Sequence, residues 1–229
     1  MVDHCKPQNF LVKFLANGRS TLDVVPLHRE LLPPPESSRA VQHTRLQTMI
    51  QTLQQPTYFV SGSYPAAIQW TSTALATILI DYSHLTGDNR YFSDFVAFYH
   101  KQPVLSLTCQ KNDDKLWVVL TYLQGAAYAA IHDKKWVRPF LKRAKIFYKQ
   151  ARSGWDNSTC GGGMFWGQGS KYKNAVTTEL WITASMGMYE AFKKESMLQA
   201  AIRGWVWFRM SGMINAEGLV NDGLDGNCK

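Results

Sequence analysis

The chain has no run of about 18 consecutive apolar residues, so the sequence predicts no transmembrane helix. Residues 1–20 hold no apolar stretch of the length that a signal peptide needs, and no apolar tail stands at the carboxyl end. No Gly-x-Ser-x-Gly turn and no Ser-His-Asp order is present, and the six histidines are scattered. The sequence therefore indicates neither a membrane-spanning protein nor a serine hydrolase.

Cysteine is scarce, and no pair among the four cysteines has the Cys-x-x-Cys spacing of a zinc site. The Gly-rich segment 160–171 lacks the Gly-Lys-Ser/Thr ending of a phosphate-binding loop. We therefore predict neither a metal nor a cofactor. The even cysteine count and the sequon Asn157-Ser158-Thr159 weakly favour a secreted protein. The cysteines are Cys5, Cys109, Cys160 and Cys228.

Strand patterns are nearly absent, whereas helical periodicity is frequent. The triple proline Pro33-Pro34-Pro35 cannot continue a helix, so residues 1–36 are predicted to be a poorly structured lead-in. Residues 37–229 are predicted to form one all-α domain of about seven helices, whose short loops imply antiparallel hairpins. No strict repeat period is present, which favours an α/α toroid over identical repeats. The predicted helices cover residues 37–54, 66–85, 89–101, 113–131, 134–152, 174–192 and 195–210.

Positive charge is concentrated in one segment of a chain whose net charge is +8. Residues 134–152 hold eight Lys and Arg and no acid, and their apolar side chains share the helical stripe opposite the basic one. The basic face is either a solvated surface or a patch for nucleic acid or another anionic polymer. No base-reading motif accompanies it, so no nucleic-acid partner is predicted. The basic stripe is Arg138, Lys142, Lys145, Lys149 and Arg152, and the apolar one is Trp136, Phe140, Ala144, Phe147 and Ala151.

Two other predicted helices have apolar faces that bear on function. In residues 66–85, Asp81 continues the apolar face of Trp70, Ala74 and Ile78. An acid on such a face is either a buried, hydrogen-bonded residue or a site residue that points into a cavity. In residues 113–131, the predicted inner stripe is Trp117, Leu120 and Ala127.

The adjacent acids Asp113 and Asp114 begin the fourth predicted helix and have two interpretations. In the structural one, Asn112 caps the helix and the two acids complement its dipole. In the catalytic one, the two carboxyl groups lie about 5 Å apart, the separation used in retaining glycoside hydrolysis. Repulsion within such a pair moves the two pKa values apart, so that one group stays ionised while the other holds a proton.

The Gly-rich segment offers a possible ligand surface. Three consecutive glycines, Gly161 to Gly163, allow a ligand or a neighbouring helix to approach the backbone closely. Trp155 and Trp166 flank them and act either as platforms for sugar rings or as anchors of the loop on the core.

Several blocks of the sequence, in this order, resemble glycoside hydrolase family 76, the α-1,6-mannanases, in the form found in fungal cell-wall proteins. The resemblance covers about residues 64–228 and does not extend to residues 1–50. The blocks are Trp70 with Ala74 and Asp81; Leu85-Thr86-Gly87-Asp88; Asn112-Asp113-Asp114 with Trp117; Gly154-Trp155-Asp156 with Cys160-Gly161-Gly162-Gly163 and Trp166; Tyr172-Lys173-Asn174-Ala175 with Thr178-Glu179-Leu180; and Ser211-Gly212-Met213-Ile214-Asn215 with Gly218-Leu219-Val220-Asn221-Asp222-Gly223.

The resemblance implies an (α/α)6 barrel and a retaining, endo-acting mechanism on α-1,6-linked mannose chains, ending in hydrolysis or in chain transfer. It implies Asp113 as the nucleophile and Asp114 as the general acid/base. The implied partner is mannan or another mannose-containing cell-wall glycan, and the implied location is extracellular or in the cell wall. The residues expected to bind the sugar are Trp70, Asp81, Trp117, Trp166, Asn174, Glu179 and Asp222.

A complete (α/α)6 barrel has twelve helices, whereas about seven are predicted here. The resemblance therefore implies a partial barrel, truncated at its carboxyl end. The alternative function is that of a catalytically impaired fragment, which acts as a carbohydrate-binding or scaffold module. Cys160 and Cys228 both belong to matching blocks, and the resemblance implies a disulfide between them that closes the Gly-rich loop against the tail.

Overall fold

The computed structural model describes residues 39–67, 69–102 and 111–229. The predicted lead-in over residues 1–36, as well as Cys5 and Cys109, lies outside these described residues. The chain divides between Thr52 and Leu53 into two units. The described part of the first unit is helix α1 (Arg39–Leu53), whose last residue lies in the second.

The described residues of the second unit form six α-helices and one short two-stranded ribbon. With α1, the described residues therefore contain seven α-helices, and the predicted all-α class is confirmed. No described helix is both long and apolar enough to cross a bilayer. The helices are α2 (Gln69–Thr86), α3 (Phe92–Lys101), α4 (Asn112–His132), α5 (Val137–Arg152), α6 (Ala175–Phe192) and α7 (Glu195–Met210), and the antiparallel strands are β1 (Lys173–Asn174) and β2 (Gly223–Leu224).

Helix α4 is the centre of this unit, because it packs against α2, α5 and α6. The predicted inner stripe of Trp117, Leu120 and Ala127 is wrong, since Ala127 is exposed and the two others are only partly buried. A helix that is surrounded on several sides buries most of its circumference, and a single stripe cannot describe it. Its buried apolar residues are Leu116, Val118, Val119, Tyr122, Ala126, Tyr128 and Ala129.

Helix α2 buries a different face from the predicted one. Ile78 is 39% exposed, whereas Thr73 and Ser83 are buried. The hydroxyl of Ser83 donates to the carbonyl of Leu79 at 2.9 Å. Small hydroxyl residues enter a helix interface at little cost when they bond the preceding turn in this way, and the apolar pattern does not record them.

Helix α5 has the two faces that the sequence predicts. Phe140, Ala144, Phe147 and Ala151 are fully buried, whereas every residue of the basic stripe is exposed. Arg143 is the one basic residue of α5 that enters the core. Its guanidinium donates to the carbonyl of Gln102 at 3.0 Å and lies 4.3 Å from the centroid of the Tyr99 ring.

Gly125 of α4 is required by an aromatic contact, which gives a prediction. A Cβ there would lie 2.5 Å from a carbon of the Phe95 ring and 3.3 Å from one of Phe140, in a packed cluster that cannot yield. We expect Gly125→Ala to lower the free energy of unfolding by about 1–3 kcal/mol in chemical denaturation.

Gly187→Ala in α6 is the matched control. Its Cβ meets only the end of the flexible Leu123 side chain, at 2.8 Å, and the helix gains about 0.5–1 kcal/mol of propensity. Equal destabilisation by the two substitutions would show that the Phe95 contact does not matter.

Candidate functional site

The carboxylate pair stands at the start of α4, where Asn112 fixes it to the Gly-rich segment. The predicted cap role of Asn112 is wrong, because Lys111 occupies the cap position with extended backbone and Asn112 is the first helical residue. Its side-chain amide instead donates to the carbonyl of Phe165 at 2.8 Å, and its backbone N–H donates to that of Trp166 at 2.7 Å. Lys115 donates to the other side of the same amide at 3.0 Å.

Gly154 allows this junction to close. A Cβ on Gly154 would lie 2.0 Å from the amide nitrogen of Asn112, so no larger residue fits there without displacing the Asn112 side chain. The carbonyl of Gly154 accepts from the N–H of Phe165 at 2.9 Å. Residues on both sides of the three glycines, Gly154 before them and Phe165 and Trp166 after them, thus meet the first residue of α4.

Asp113 is held in a defined orientation by two donors. One carboxylate oxygen accepts from the indole Nε1 of Trp166 at 3.0 Å, and the other accepts from the backbone N–H of Asp114 at 3.0 Å. The pKa of Asp113 is raised above its usual value by burial, and these two hydrogen bonds and the charge of Lys111 offset part of that rise. The hydrogen bonds therefore favour the ionised form.

Asp114 lies in a different environment, although it is the next residue. It is only 6% exposed, and burial together with the charge of Asp113 raises its pKa to about 7. Lys111 and Lys115 oppose that shift. The pair thus consists of one hydrogen-bonded carboxylate and one carboxyl group that holds its proton up to neutral pH, a division seen in acid–base pairs.

Trp166 connects this pair to the tail of the chain. The ammonium of Lys111 lies 3.6 Å from the centroid of its ring, which covers one of the two ring faces. The edge of the ring meets Tyr172 at 6.4 Å between centroids, and the Tyr172 hydroxyl donates to the carboxylate of Asp222. Trp166 is therefore first a hydrogen-bond donor to Asp113, and only its remaining face is available to a sugar.

Lys173, to which the sequence reasoning gave no role, holds the Gly-rich segment in place. Its side chain is fully buried, and its ammonium donates to Asp156 at 2.7 Å, to the carbonyl of Thr159 at 2.5 Å and to that of Gly162. Burial raises the pKa of Asp156, but the Lys173 pair and three other hydrogen bonds together hold it well below its usual range. The single buried ammonium of Lys173 thus anchors three groups of the loop.

A disulfide and one tryptophan complete the support of the loop. Cys160 is bonded to Cys228, with 5.4 Å between their Cα atoms. The indole of Trp207 donates to the carbonyl of Cys160 at 2.9 Å. Gly163 has a φ of +107°, and a Cβ there would lie 2.5 Å from the Trp207 ring, so this position requires glycine.

A ladder of paired side chains joins α2 to α4. Trp70 and Trp117 stack with 6.4 Å between centroids, the hydroxyls of Thr77 and Thr121 lie 2.6 Å apart, and Gln124 donates to Asp81. Trp117 is one turn below Asp113, so the half-buried stack of Trp70 and Trp117 lies close to the pair. Gln124 is about 16 Å farther along the helix axis than Asp113, so Asp81 lies far from the pair. Burial raises the pKa of Asp81.

The two other expected sugar-binding residues lie on the α6 side. Asn174 is buried, and its side-chain oxygen accepts from the N–H of Thr177 at 3.1 Å as the cap of α6. Glu179 is partly buried about one turn farther on, and burial raises its pKa. The structure therefore gives Asn174 a helix-capping contact and leaves Glu179 as a half-exposed acid. Across the described ranges, no three His, Cys, Asp or Glu side chains converge as metal ligands.

Comparison with known proteins now identifies this arrangement. Residues 38–229 match glycosyl hydrolase family 76. The chain therefore belongs to this family. A search of curated proteins found no significant match.

Solved structures show the shared fold. An α-1,6-mannanase of Salegentibacter sp. HEL1_6, an inactive variant with two adjacent aspartates replaced, in complex with α-1,6-mannotetrose, is 18% identical; the TM-score is 0.67 over 80% of this chain and 56% of that one. A family 76 mannosidase from Bacteroides thetaiotaomicron is 16% identical, with a TM-score of 0.66 over 82% and 60%. Dfg5 from Chaetomium thermophilum, in complex with glucosamine, is 19% identical, with a TM-score of 0.64 over 80% and 51%.

These relatives are (α/α)6 barrels, and this chain forms part of such a barrel. The chain spans between 51% and 60% of the length of these three solved structures. The barrel class and the family that the sequence indicated are thereby confirmed.

The buried ion pair leads to a prediction on stability. Lys173→Met removes the only charge that Asp156 pairs with among the described residues, and we expect it to lower the free energy of unfolding by about 3 kcal/mol at pH 7. Because the pKa of Asp156 is depressed, this contribution is complete above about pH 4 and shrinks as the pH falls further.

Lys135→Met, which breaks the exposed pair of Lys135 with Asp133, is the matched control and should cost less than about 1 kcal/mol. Denaturation curves that put the two variants at the same stability would refute the anchoring role of Lys173.

Asp114 leads to a prediction of opposite sign. Its folded-state pKa is raised, so the folded protein loses stability as the pH rises from about 4 to about 7, where the buried group ionises. We expect Asp114→Asn to stabilise the protein by on the order of 2 kcal/mol at pH 8 and to have almost no effect near pH 4. Thermal unfolding at the two pH values measures this difference. The partly exposed Asp133→Asn is the control, and the same pH-dependent gain in both variants would contradict the assignment.

Proposed function

We propose that this chain carries the catalytic carboxylates of a retaining glycosidase that cleaves α-1,6-linked mannan. The observation that carries the proposal is the unequal pair Asp113 and Asp114 at the start of one helix. A retaining mechanism needs one ionised and one protonated carboxyl group on the two sides of the glycosidic bond. The family, and the mannooligosaccharide bound to the Salegentibacter relative, support mannan as the substrate class.

Asp113 is proposed as the nucleophile. The Trp166 indole and the Asp114 N–H stabilise its negative charge and orient it, so that one oxygen attacks the anomeric carbon. The bond from that carbon to the glycosidic oxygen breaks at the same time. The product is a glycosyl ester on Asp113.

Asp114 is proposed as the general acid and then the general base. With a pKa raised to about 7, it holds a proton that it delivers to the departing glycosidic oxygen. In the second step it takes a proton from water or from a sugar hydroxyl, whose oxygen attacks the anomeric carbon and frees Asp113. Water gives hydrolysis and a sugar hydroxyl gives chain transfer, so one intermediate serves both outcomes.

The sugar-binding surface is proposed to run from the pair along α4. The stacked rings of Trp70 and Trp117 are half-buried near Asp113 and suit the apolar face of a sugar ring. Trp166, which contacts Asp113, and the exposed carboxylate of Asp222 offer further contacts. Glu179 is a further candidate for sugar binding. Asp81 is a weaker candidate because it lies far from the pair, and Asn174 is a weaker candidate because its side chain caps α6. The proposed setting is extracellular or in the cell wall, where mannan is found.

A second candidate is a carbohydrate-binding or scaffold module without turnover. The observation that favours it is that the chain spans only 56% of the Salegentibacter mannanase. For such a module, we expect isothermal titration to detect binding of α-1,6-mannooligosaccharides and sensitive product analysis to find no cleavage.

Activity measurements on the pair provide the direct test. We expect Asp113→Asn to abolish release of reducing ends from α-1,6-mannan, with an unchanged circular dichroism spectrum, because no nucleophile is left. Trp166→Phe should lower kcat by roughly tenfold to a hundredfold and move the acidic limb of the kcat/KM profile to higher pH. The reason is that the Trp166 hydrogen bond lowers the pKa of Asp113, so removing this bond raises that pKa.

Trp205→Phe on α7 changes an exposed tryptophan and is the matched control, with an expected activity near that of the unaltered chain. A pH profile that Trp166→Phe leaves in place would contradict the role of Trp166. Full activity of Asp113→Asn would remove the proposed mechanism.

A further inference from the structure

The basic stripe of α5 has no part in the site described above. Its five residues, Arg138, Lys142, Lys145, Lys149 and Arg152, are all exposed. The apolar face of the same helix is buried in the core, so the orientation of the stripe is fixed. Lys134, in the turn before α5, extends the exposed positive surface by one charge, whereas the neighbouring Lys135 is paired with Asp133.

The stripe is straight and narrow. At about 100° per residue, its five members fall within roughly 80° of the helix circumference, and they span about 21 Å along the axis. Each charge lies one turn from the next. The geometry is that of a line of cations and not of a two-dimensional patch.

These charges are not neutralised within the part of the chain that the structure describes. The ion pairs there join Arg90 to Asp88, Lys135 to Asp133 and Lys173 to Asp156, and none of them includes a residue of the stripe. Like charges three or four residues apart on a helix repel one another. A bound anion that spans several turns would relieve this repulsion.

We propose that the basic stripe of α5 binds a linear acidic polysaccharide. The evenly spaced cations would pair with carboxylate, sulfate or phosphate groups along the chain, and binding would release the counterions of the polymer. A single line of charges along one helix matches an extended, linear polymer better than it matches a planar anionic surface.

The composition of the stripe argues against two other polyanions. Proteins that hold single-stranded nucleic acid interleave cations with stacking aromatic rings, and none of the exposed large apolar residues lies within α5. Helices that lie on membranes insert their apolar face into lipid, whereas the apolar face of α5 is packed against the protein.

The stripe also leads towards the candidate site. It ends at Arg152, directly before the segment in which Gly154 packs on Asn112 and Trp166 contacts Asp113. A polysaccharide anchored on α5 would therefore be held beside the carboxylate pair. The choice of a polysaccharide among polyanions rests on the proposed function, whereas the case for a polyanion rests on the stripe alone.

Binding of the full chain to polygalacturonate, a linear carboxylated polysaccharide, tests the proposal. The test variant combines Arg138→Gln, Lys142→Gln and Lys149→Gln. The control combines Lys194→Gln, Arg203→Gln and Arg209→Gln, three exposed residues at or on α7. Each variant lowers the net charge of +8 by three and keeps good helix formers on α5 or α7. Circular dichroism checks that both fold, and a single-stranded oligonucleotide and phosphatidylserine vesicles are titrated in parallel.

We expect affinity for polygalacturonate to fall steeply with salt, to fall at least about tenfold in the α5 variant and to change less than about twofold in the control. No binding at low salt, or an equal loss in both variants, would overturn the proposal. Tighter binding of the oligonucleotide or the vesicles, lost in the α5 variant, would overturn the assignment to a polysaccharide. Cleavage of neutral α-1,6-mannan is assayed separately, so binding without cleavage counts against the proposed function and in favour of the stripe.

Discussion

The ammonium of Lys173 is the interaction on which the candidate site depends. It lies in the protein interior with Asp156 and two backbone carbonyls as its acceptors. Without it, the carbonyls of Thr159 and Gly162 would each lose a donor and Asp156 would lose its ion pair, and buried polar groups that lose such partners destabilise the folded state. The segment in turn carries Trp166, and Trp166 orients Asp113. The buried charge of Lys173 therefore helps to set the orientation of Asp113 through the loop that carries Trp166.

The carboxylate pair illustrates how a fold sets two identical side chains apart. Asp113 accepts two hydrogen bonds, whereas Asp114 is enclosed and meets the charge of its neighbour. The enclosure of Asp114 is unfavourable to the folded state at neutral pH, and the stabilising contacts lie elsewhere, in the α4 core and the disulfide. The burial of Asp114 thus lowers the stability of the folded state at the position where a proton is required, as is common at functional sites.

Much of this could be predicted from the sequence, and the failures have physical causes. The helices follow from periodicity and breakers, and each observed boundary lies within a few residues of the predicted one. The faces of α2 and α4 were predicted wrongly, because Thr73 and Ser83 are buried as hydroxyls and because α4 is enclosed on several sides. Asp113 and Asp114 taken alone favour the start of a capped helix, and only the ordered blocks around them favour a site. Lys173 and the true contacts of Asn112 were missed, since a single lysine or asparagine carries no pattern that reports which distant carbonyl it will meet.

The contacts that build the site differ from those that build the helices in how far apart their partners stand in sequence. Helical hairpins form from neighbours, whereas the Asn112–Phe165 hydrogen bond spans 53 residues and the Cys160–Cys228 bond spans 68. Local contacts form early in folding, and loops that close over such distances form late. The scaffold can therefore assemble while the site is still open. The compartment in which the chain completes its folding, reducing or oxidising, then decides whether a covalent bond is added to the contacts of Lys173, Trp207 and Asn112 that hold the loop.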